Sequence, residues 1–508
     1  MQTANEDVSM KSFEGFRKSG TFDVAPGTEV HGDLILKGPR TTLDLFSKDF
    51  FSTHSLQDGC ILGALHDRTK VSLVDCITTQ GMGSGSRGDE RYHFASVFPH
   101  FAIFGNEHIT SADRKITAVS FHVNDAENLF YDFDAFGQVI DAKPHIAQLV
   151  GTKETIGRDV SVGDDPMIFY FTGKYEIFKA ETVLGTVSAA HRPSYRFPGP
   201  HGISVDNKIH IDLEFKSPAT IREATTGVNT LLRFLEVIAG RPQTLLRLGL
   251  LTPGPGDAPT ILDVYWSMLP VRDGDTGRPP HPADLPIQAA HDPALFGSVL
   301  AAWLNRDDEW RNARSRFSTA FGLQHHFTID RLVGAANMFD ILPASAVPYD
   351  VPLTQELSEA KAASGALFKA LPRSLERDSV LNALGRLGKA SLKHKVRARA
   401  KLILDLIQTC FPDLVLVLDE AVDCRNYFVH GSKAKMDYTA EFDQVILFTE
   451  ALEFTFAASD LIECGWDIAE WSKQSSTVSH PFDRFRLNYE PRLADLKRAL
   501  TSARAASV

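Results

Sequence analysis

The sequence predicts an α+β multidomain chain, with a β-rich, sandwich-like N-terminal domain followed by an all-α domain. Three observations carry this. The chain has 508 residues, 43% of them hydrophobic and 23% charged, which is too much apolar material for one ordinary core. The first half alternates short apolar runs with Gly, Pro, Asn and Asp. The second half carries apolar residues at helical spacing over long stretches.

In chain order, strands are expected at Val30–Leu36, Cys60–Leu65, Lys70–Cys76, Phe94–Ile103 and Ile116–Val123. Ile209, Ile211, Leu213 and Phe215 alternate and predict another strand. Ala219–Ala239 reads as a helix closed by Gly240 and followed by Pro242. Thr244–Leu250 and Thr260–Trp266 complete the set as a strand pair around Pro253-Gly254-Pro255-Gly256. A sandwich or a curved antiparallel sheet fits this pattern. Residues 1–270 are therefore assigned to the β-rich domain and 271–293, rich in Pro, Gly and Asp, to a linker. Residues 294–508 form the helical domain. Its expected helices are Ala294–Phe321, Ile329–Leu342, Thr354–Leu371, Ser374–Thr409 (broken near Gly385 or Gly388), Leu414–His430, Glu441–Cys464 and Phe482–Ala506.

Net charge is −11, so any nucleic-acid contact must come from a local basic patch. Met1–Phe13 lacks the basic start and apolar run of a secretory signal, and no apolar run approaches the ~20 residues that span a bilayer. Five scattered cysteines with no C-x-x-C pair argue for reduced thiols and a cytoplasmic protein. The glycine run Gly81–Gly88 matches no phosphate-binding fingerprint and is expected to be a flexible hairpin loop. His325-His326 point ~100° apart on a helix, and no H-E-x-x-H occurs. No metal site and no cofactor is expected.

One segment carries chemistry: Cys424-Arg425-Asn426-Tyr427-Phe428-Val429-His430-Gly431, closing the helix Leu414–His430. On that helix Val415, Leu418, Ala421, Val422, Phe428 and Val429 gather on a wide apolar face, whereas Asp419, Asp423, Asn426 and His430 form a polar stripe. Arg425 falls inside the apolar face, where an arginine is costly unless paired or facing a cleft. A buried ion pair with a terminal His on the helix dipole is the structural alternative. Arg425 and His430 stand about 140° apart, so a shared phosphate requires a kink, an unwound last turn at Gly431, or a second copy of the helix. Upstream, Lys393, Lys395, Arg397 and Arg399 lie in a stretch without acidic residues and are candidate RNA-phosphate contacts; a solvated helix face is the alternative.

The segment Arg425-Asn426-Tyr427-Phe428-Val429-His430 resembles the R-N-x-x-x-H motif of HEPN ribonucleases, and more closely that of the ApeA-type HEPN proteins of bacterial anti-phage abortive infection. Cys60-Ile61-Leu62-Gly63 and Lys70–Cys76 are similar to the opening strands of their N-terminal domain. The resemblance implies an endoribonuclease that cleaves RNA, tRNA in particular, at a homodimer interface. A phage-derived trigger would act on the N-terminal domain. Arg425, Asn426 and His430 would be catalytic, with a polar partner on another helix that the sequence does not locate. The chemistry is coherent without a metal. The 2′-OH of RNA is an internal nucleophile, an imidazole such as that of His430 can serve as acid or base, and Arg425 is a permanent phosphate clamp. The competing expectation is a non-catalytic HEPN-type dimerisation module joined to a ligand-binding β-rich domain.

Overall fold

A computed structural model describes residues 15–25, 27–51, 59–87, 90–151, 157, 161–200, 202–256, 258–269, 278–346 and 353–506. Met1–Phe13, Gly88, and residues 271–277 of the expected linker lie outside the described residues. The chain divides into two compact units: residues 1–232 with 243–304, and residues 233–242 with 305–508.

The first unit is built on an antiparallel sheet. Its strands are β1 (Arg17–Ala25), β2 (Thr28–Ile35), β3 (Thr42–Ser47), β4 (Ile61–Leu65), β5 (Lys70–Arg87), β6 (Glu90–Gly105) and β7 (Ile116–Val123). A short pair, β8 (Phe136–Val139) and β9 (Ile168–Phe171), stands apart as its own sheet. Then come β10 (Glu176–Glu181), β11 (Gly185–Gly199), β12 (Gly202–Ala219), β13 (Leu245–Thr252) and β14 (Thr260–Trp266). The large sheet runs β10-β11-β12-β7-β13-β14-β6-β3-β2-β1-β4-β5, and β5 also pairs with β6. The curvature thus closes six strands, β1 to β6, on themselves. Strand β6 permits this because its first half pairs with β3 and its second half with β14 on the same edge. Alternating residues of the closed strands fill the interior, among them Phe22, Leu34, Leu43, Leu45, Val71, Leu73 and Val97.

The glycine run is not a loop. Gly83 and Gly85 belong to β5 and pair with Phe94 and Tyr92 of β6. A Cβ at Gly83 would lie 2.3 Å from the Phe94 ring, and one at Gly85 would lie 2.6 Å from the Tyr92 ring. The cross-strand aromatic rings occupy the space of the missing side chains, so the glycines remain in the ladder.

Helices α1 (Ala126–Leu129), α2 (Lys143–Gly151), α3 (Ile221–Ala239) and α4 (Pro293–Asn305) follow the strands at intervals. Phe296 of α4 packs on Phe178 of β10, with ring centres 4.8 Å apart, and on Phe130. The described part of the Pro- and Gly-rich stretch is packed rather than open, with Leu285, Ile287 and Ala289 buried. The expected single helix Ala294–Phe321 is two, α4 and α5 (Asp307–Phe321), broken at Arg306.

The second unit contains α5, α6 (Ile329–Asp340), α7 (Gln355–Ala370), α8 (Leu375–Arg386), α9 (Leu392–Ile407), α10 (Leu414–His430), α11 (Phe442–Glu463), α12 (Ile468–Lys473) and α13 (Pro481–Ala506). Helix α11 is buried on every side from Gln444 to Leu461 apart from Ile446 and Glu450, as befits an element surrounded by others. Helices α6, α9, α10 and α13 pack around it. Short α12 is absent from the sequence expectation, because its six residues offer too little periodicity to read.

Candidate active site

The motif helix α10 begins after Asp413 and ends at His430, where Gly431 adopts the left-handed conformation (φ 65°). Gly431 N–H donates to Tyr427 O at 3.0 Å, so the last turn stays closed. The buried face runs through Leu414, Val417, Leu418, Ala421, Val422 and Cys424. Phe428 and Val429 do not join it. They are 36% and 43% exposed, with Tyr427 at 37% beside them. The helix has left the core by its final turn, and the rings of Tyr427 and Phe428 rest on Tyr438 instead.

At that emerging end the three motif residues meet. Arg425 Nη1 donates to Asn426 Oδ1 and lies against His430 Nε2, both at 3.1 Å. The helix neither kinks nor unwinds to allow it. Five residues rise only ~7.5 Å, and the arginine side chain reaches around the remaining angle. Because guanidinium has donors only, a hydrogen bond here requires His430 Nε2 to accept.

Arg425 also has polar neighbours on α6. Arg425 Nη2 donates to Asn337 Oδ1 at 2.8 Å and to Asp340 Oδ2 at 3.4 Å. Asn337 and Asp340 are three residues apart and share one face of α6. Two polar residues in the last turn, after the apolar stretch Leu332–Ala336, are the signal, and such pairs are common on solvated faces. All four Nη hydrogens of Arg425 are therefore engaged. Its Nε is buried without a partner, and the Arg425 side chain is only 13% exposed. His430 is exposed. A phosphate oxygen seated at Nη1 would touch arginine and imidazole together.

The polar stripe continues back along α10 as a charge cluster. Arg397 of α9 forks onto Asp419, with Nε to Oδ1 at 2.8 Å. Lys393 Nζ lies 2.6 Å from Asp423 Oδ1, and Lys435 Nζ lies 2.6 Å from Asp423 Oδ2 and 2.7 Å from Glu420. Desolvation pushes the Asp423 carboxyl up, but the two lysines outweigh it and hold it below its ordinary value.

The expected basic strip is not one surface. Residues two apart on a helix point ~200° away from each other, so Lys393 and Arg397 face α10 while Lys395 and Arg399 face elsewhere. Lys395 Nζ donates to Asp340 O at 2.9 Å. Arg399 is a correction. It is 2% exposed, donates from Nε to Ser459 and pairs with Glu463 at 2.8 Å, so it is a core residue and not an RNA contact. Among the described residues no group of three or more His, Cys, Asp or Glu side chains is disposed to hold a metal ion, and no helix is long and apolar enough to cross a membrane.

Two family models match the chain. ApeA N-terminal domain 1 covers residues 17–303, and ApeA-like HEPN covers residues 333–470. The second match includes Asn337, Asp340, Arg425, Asn426 and His430. Comparisons with curated proteins and with solved structures find no match.

Proposed function

The chain belongs to the ApeA family of HEPN-domain proteins, and on that premise we propose that it is a metal-independent endoribonuclease acting through Arg425, Asn426 and His430. The observation that carries the reading is the 3.1 Å approach of Arg425 Nη1 to His430 Nε2 at an exposed helix end. That pair supplies what RNA transesterification needs. The 2′-oxygen attacks the adjacent phosphorus, the bond to the 5′-oxygen breaks, and the products are a 2′,3′-cyclic phosphate and a 5′-hydroxyl. His430 takes the proton of the 2′-hydroxyl while water protonates the leaving 5′-oxygen, or water takes the first and His430 supplies the second. Arg425 donates to the phosphorane oxygens as negative charge builds on them. Asn426 and Asn337 orient the guanidinium.

On this reading the protein is a cytoplasmic abortive-infection effector whose RNA is tRNA and whose N-terminal domain receives a phage-derived trigger. A homodimer through the helical unit is supported by the exposed Tyr427, Phe428 and Val429 beside the motif. The intrachain Arg425–His430 contact means that a partner copy is not needed to unite those two groups. A second reading has one observation in its favour. Every Nη hydrogen of Arg425 is already used within the chain, as in a non-catalytic module.

The test is product chemistry. Purified protein is incubated with total tRNA in excess EDTA, and the new ends are analysed. The proposal expects 2′,3′-cyclic phosphate ends. A strict magnesium requirement or 3′-hydroxyl ends would refute the mechanism, and no cleavage of any RNA would favour the non-catalytic module.

A further inference from the structure

Helices α7 and α8 form a hairpin in which no residue is buried. Among the described residues they pack chiefly on each other. Thr354 and Ser374 cap the two helices. Arg377 closes the turn, donating to the carbonyls of Phe368 and Lys369 at 2.8 and 3.1 Å. Lys361 Nζ reaches Leu387 O at 2.8 Å near the base. The result is a tied arm, about 24 Å long at 1.5 Å per residue of α7, rather than a loose insertion.

Chain connection ties this arm to the active-site rim. Its base runs through Gly388 and Lys389 to Ser391, the cap of α9. One turn into α9, Lys395 touches Asp340 O, and Asp340 touches Arg425. The arm leaves the helical bundle beside the site.

The arm and its base carry six cations, Lys361, Lys369, Arg373, Arg377, Arg386 and Lys389, against four carboxylates, Glu356, Glu359, Glu376 and Asp378. From Leu387 to Leu404 the sequence has no acidic residue. On the arm and its base Lys369, Arg373, Arg386 and Lys389 are exposed, with no side-chain ion pair among the described residues. Lys393 and Arg397, by contrast, are neutralised by Asp423 and Asp419. The arm's cations that can meet an anion lie at the tip (Lys369, Arg373) and at the base (Arg386, Lys389), while the chain as a whole is acidic.

We propose that the α7–α8 hairpin is an RNA-docking arm, whose tip and base cations bind phosphates of a strand leading to the Arg425–His430 site. The proposal rests on the nuclease reading for its direction but not for its binding. The arm acts as a ruler: phosphates held at the base lie next to the scissile position, and those at the tip lie about 24 Å away along α7. Its chemistry is sequence-independent backbone contact, which shows itself as counterion release.

The experiment uses the full chain with His430→Ala, so that RNA survives, and a single-stranded oligoribonucleotide as probe. Binding is measured across a salt series for this protein, for a fourfold variant (Lys369→Gln, Arg373→Gln, Arg386→Gln, Lys389→Gln) and for a control pair (Lys393→Gln, Arg397→Gln). All six side chains lie on the surface, and melting checks the fold. The fourfold variant is expected to flatten the log–log salt slope by about 0.7 for each phosphate no longer held, and the control pair to leave it nearly unchanged. An unchanged slope in the fourfold variant overturns the arm. If Leu367→Ser with Leu375→Ser, at positions now 66% and 86% exposed, then abolishes self-association, the hairpin is a protein contact instead. Cleavage by the parent is scored separately. An arm-dependent slope without cleavage keeps the arm and removes the nuclease reading, whereas cleavage with an unchanged slope does the reverse.

Discussion

Two arginine clusters in the helical unit differ in how they are closed. Around Trp310, the guanidinium groups of Arg306, Arg314 and Arg399 lie 4.5, 5.5 and 5.0 Å from the ring centre. Arg314 forks onto Asp460 at 2.9 and 3.1 Å, with both side chains under 5% exposed. At the end of α10, Arg425 instead meets two neutral amides, an imidazole and a half-exposed carboxylate at 3.4 Å. The first cluster is charge answered by charge in the core. The second holds a cation with weaker acceptors at the surface, where an incoming anion can displace them. Burial and pairing mark Arg314 as structural, whereas incomplete charge compensation beside an exposed His is what the catalytic role proposed for Arg425 calls for.

The contrast can be broken most strongly at Asp460. Asp460→Ala removes the bidentate acceptor of buried Arg314 and leaves it the longer 3.4 Å pair with Asp307, and should destabilise the helical unit by about 3 kcal/mol in denaturant unfolding. A loss under 1 kcal/mol would mean that the Trp310 cluster is not structural. Arg425→Lys should do the opposite. The fold should melt within a few degrees of the parent, while RNA cleavage falls on the order of 100-fold, because an ammonium cannot donate in the planar fork. Equal activity would deny Arg425 its role at the phosphate. Asn337→Ala leaves Nη2 only the 3.4 Å contact with Asp340 and should slow cleavage by roughly 10-fold or more through misplacement of the guanidinium. Were it to raise activity, Asn337 would be a restraint on Arg425 and not its support.

The smallest effect concerns pH. The carboxyl of Asp423 is depressed in the folded chain, against desolvation, by Lys393 and Lys435. Its contribution to stability is therefore complete above the unfolded carboxyl value near 4 and is lost as pH falls through the lower folded value. Asp423→Asn should be less stable than the parent at pH 7, and the gap should narrow below about pH 4. A gap independent of pH would assign the loss to packing.

Much of the helical unit is legible because its helices are long and periodic, and α10 runs from Leu414 to His430 as its pattern indicates. The motif is legible because Arg, Asn and His stand together at a helix end. Asn337 and Asp340 are not, since nothing in an isolated Asn and Asp three apart says which arginine they meet in space. Arg399 misleads because a run of cations reads as one surface, although the 100° rotation per residue already sends Arg397 and Arg399 to different sides. The barrel-like closure depends on β6 pairing with three strands, a long-range property that alternation does not encode.

His430→Ala tests the central claim most directly. Parent and variant are compared on total tRNA with thermal melting alongside. The account predicts an unchanged melt and cleavage reduced by about 10²-fold or more, the usual contribution of a positioned acid–base group. Undiminished cleavage by a folded His430→Ala protein would contradict it.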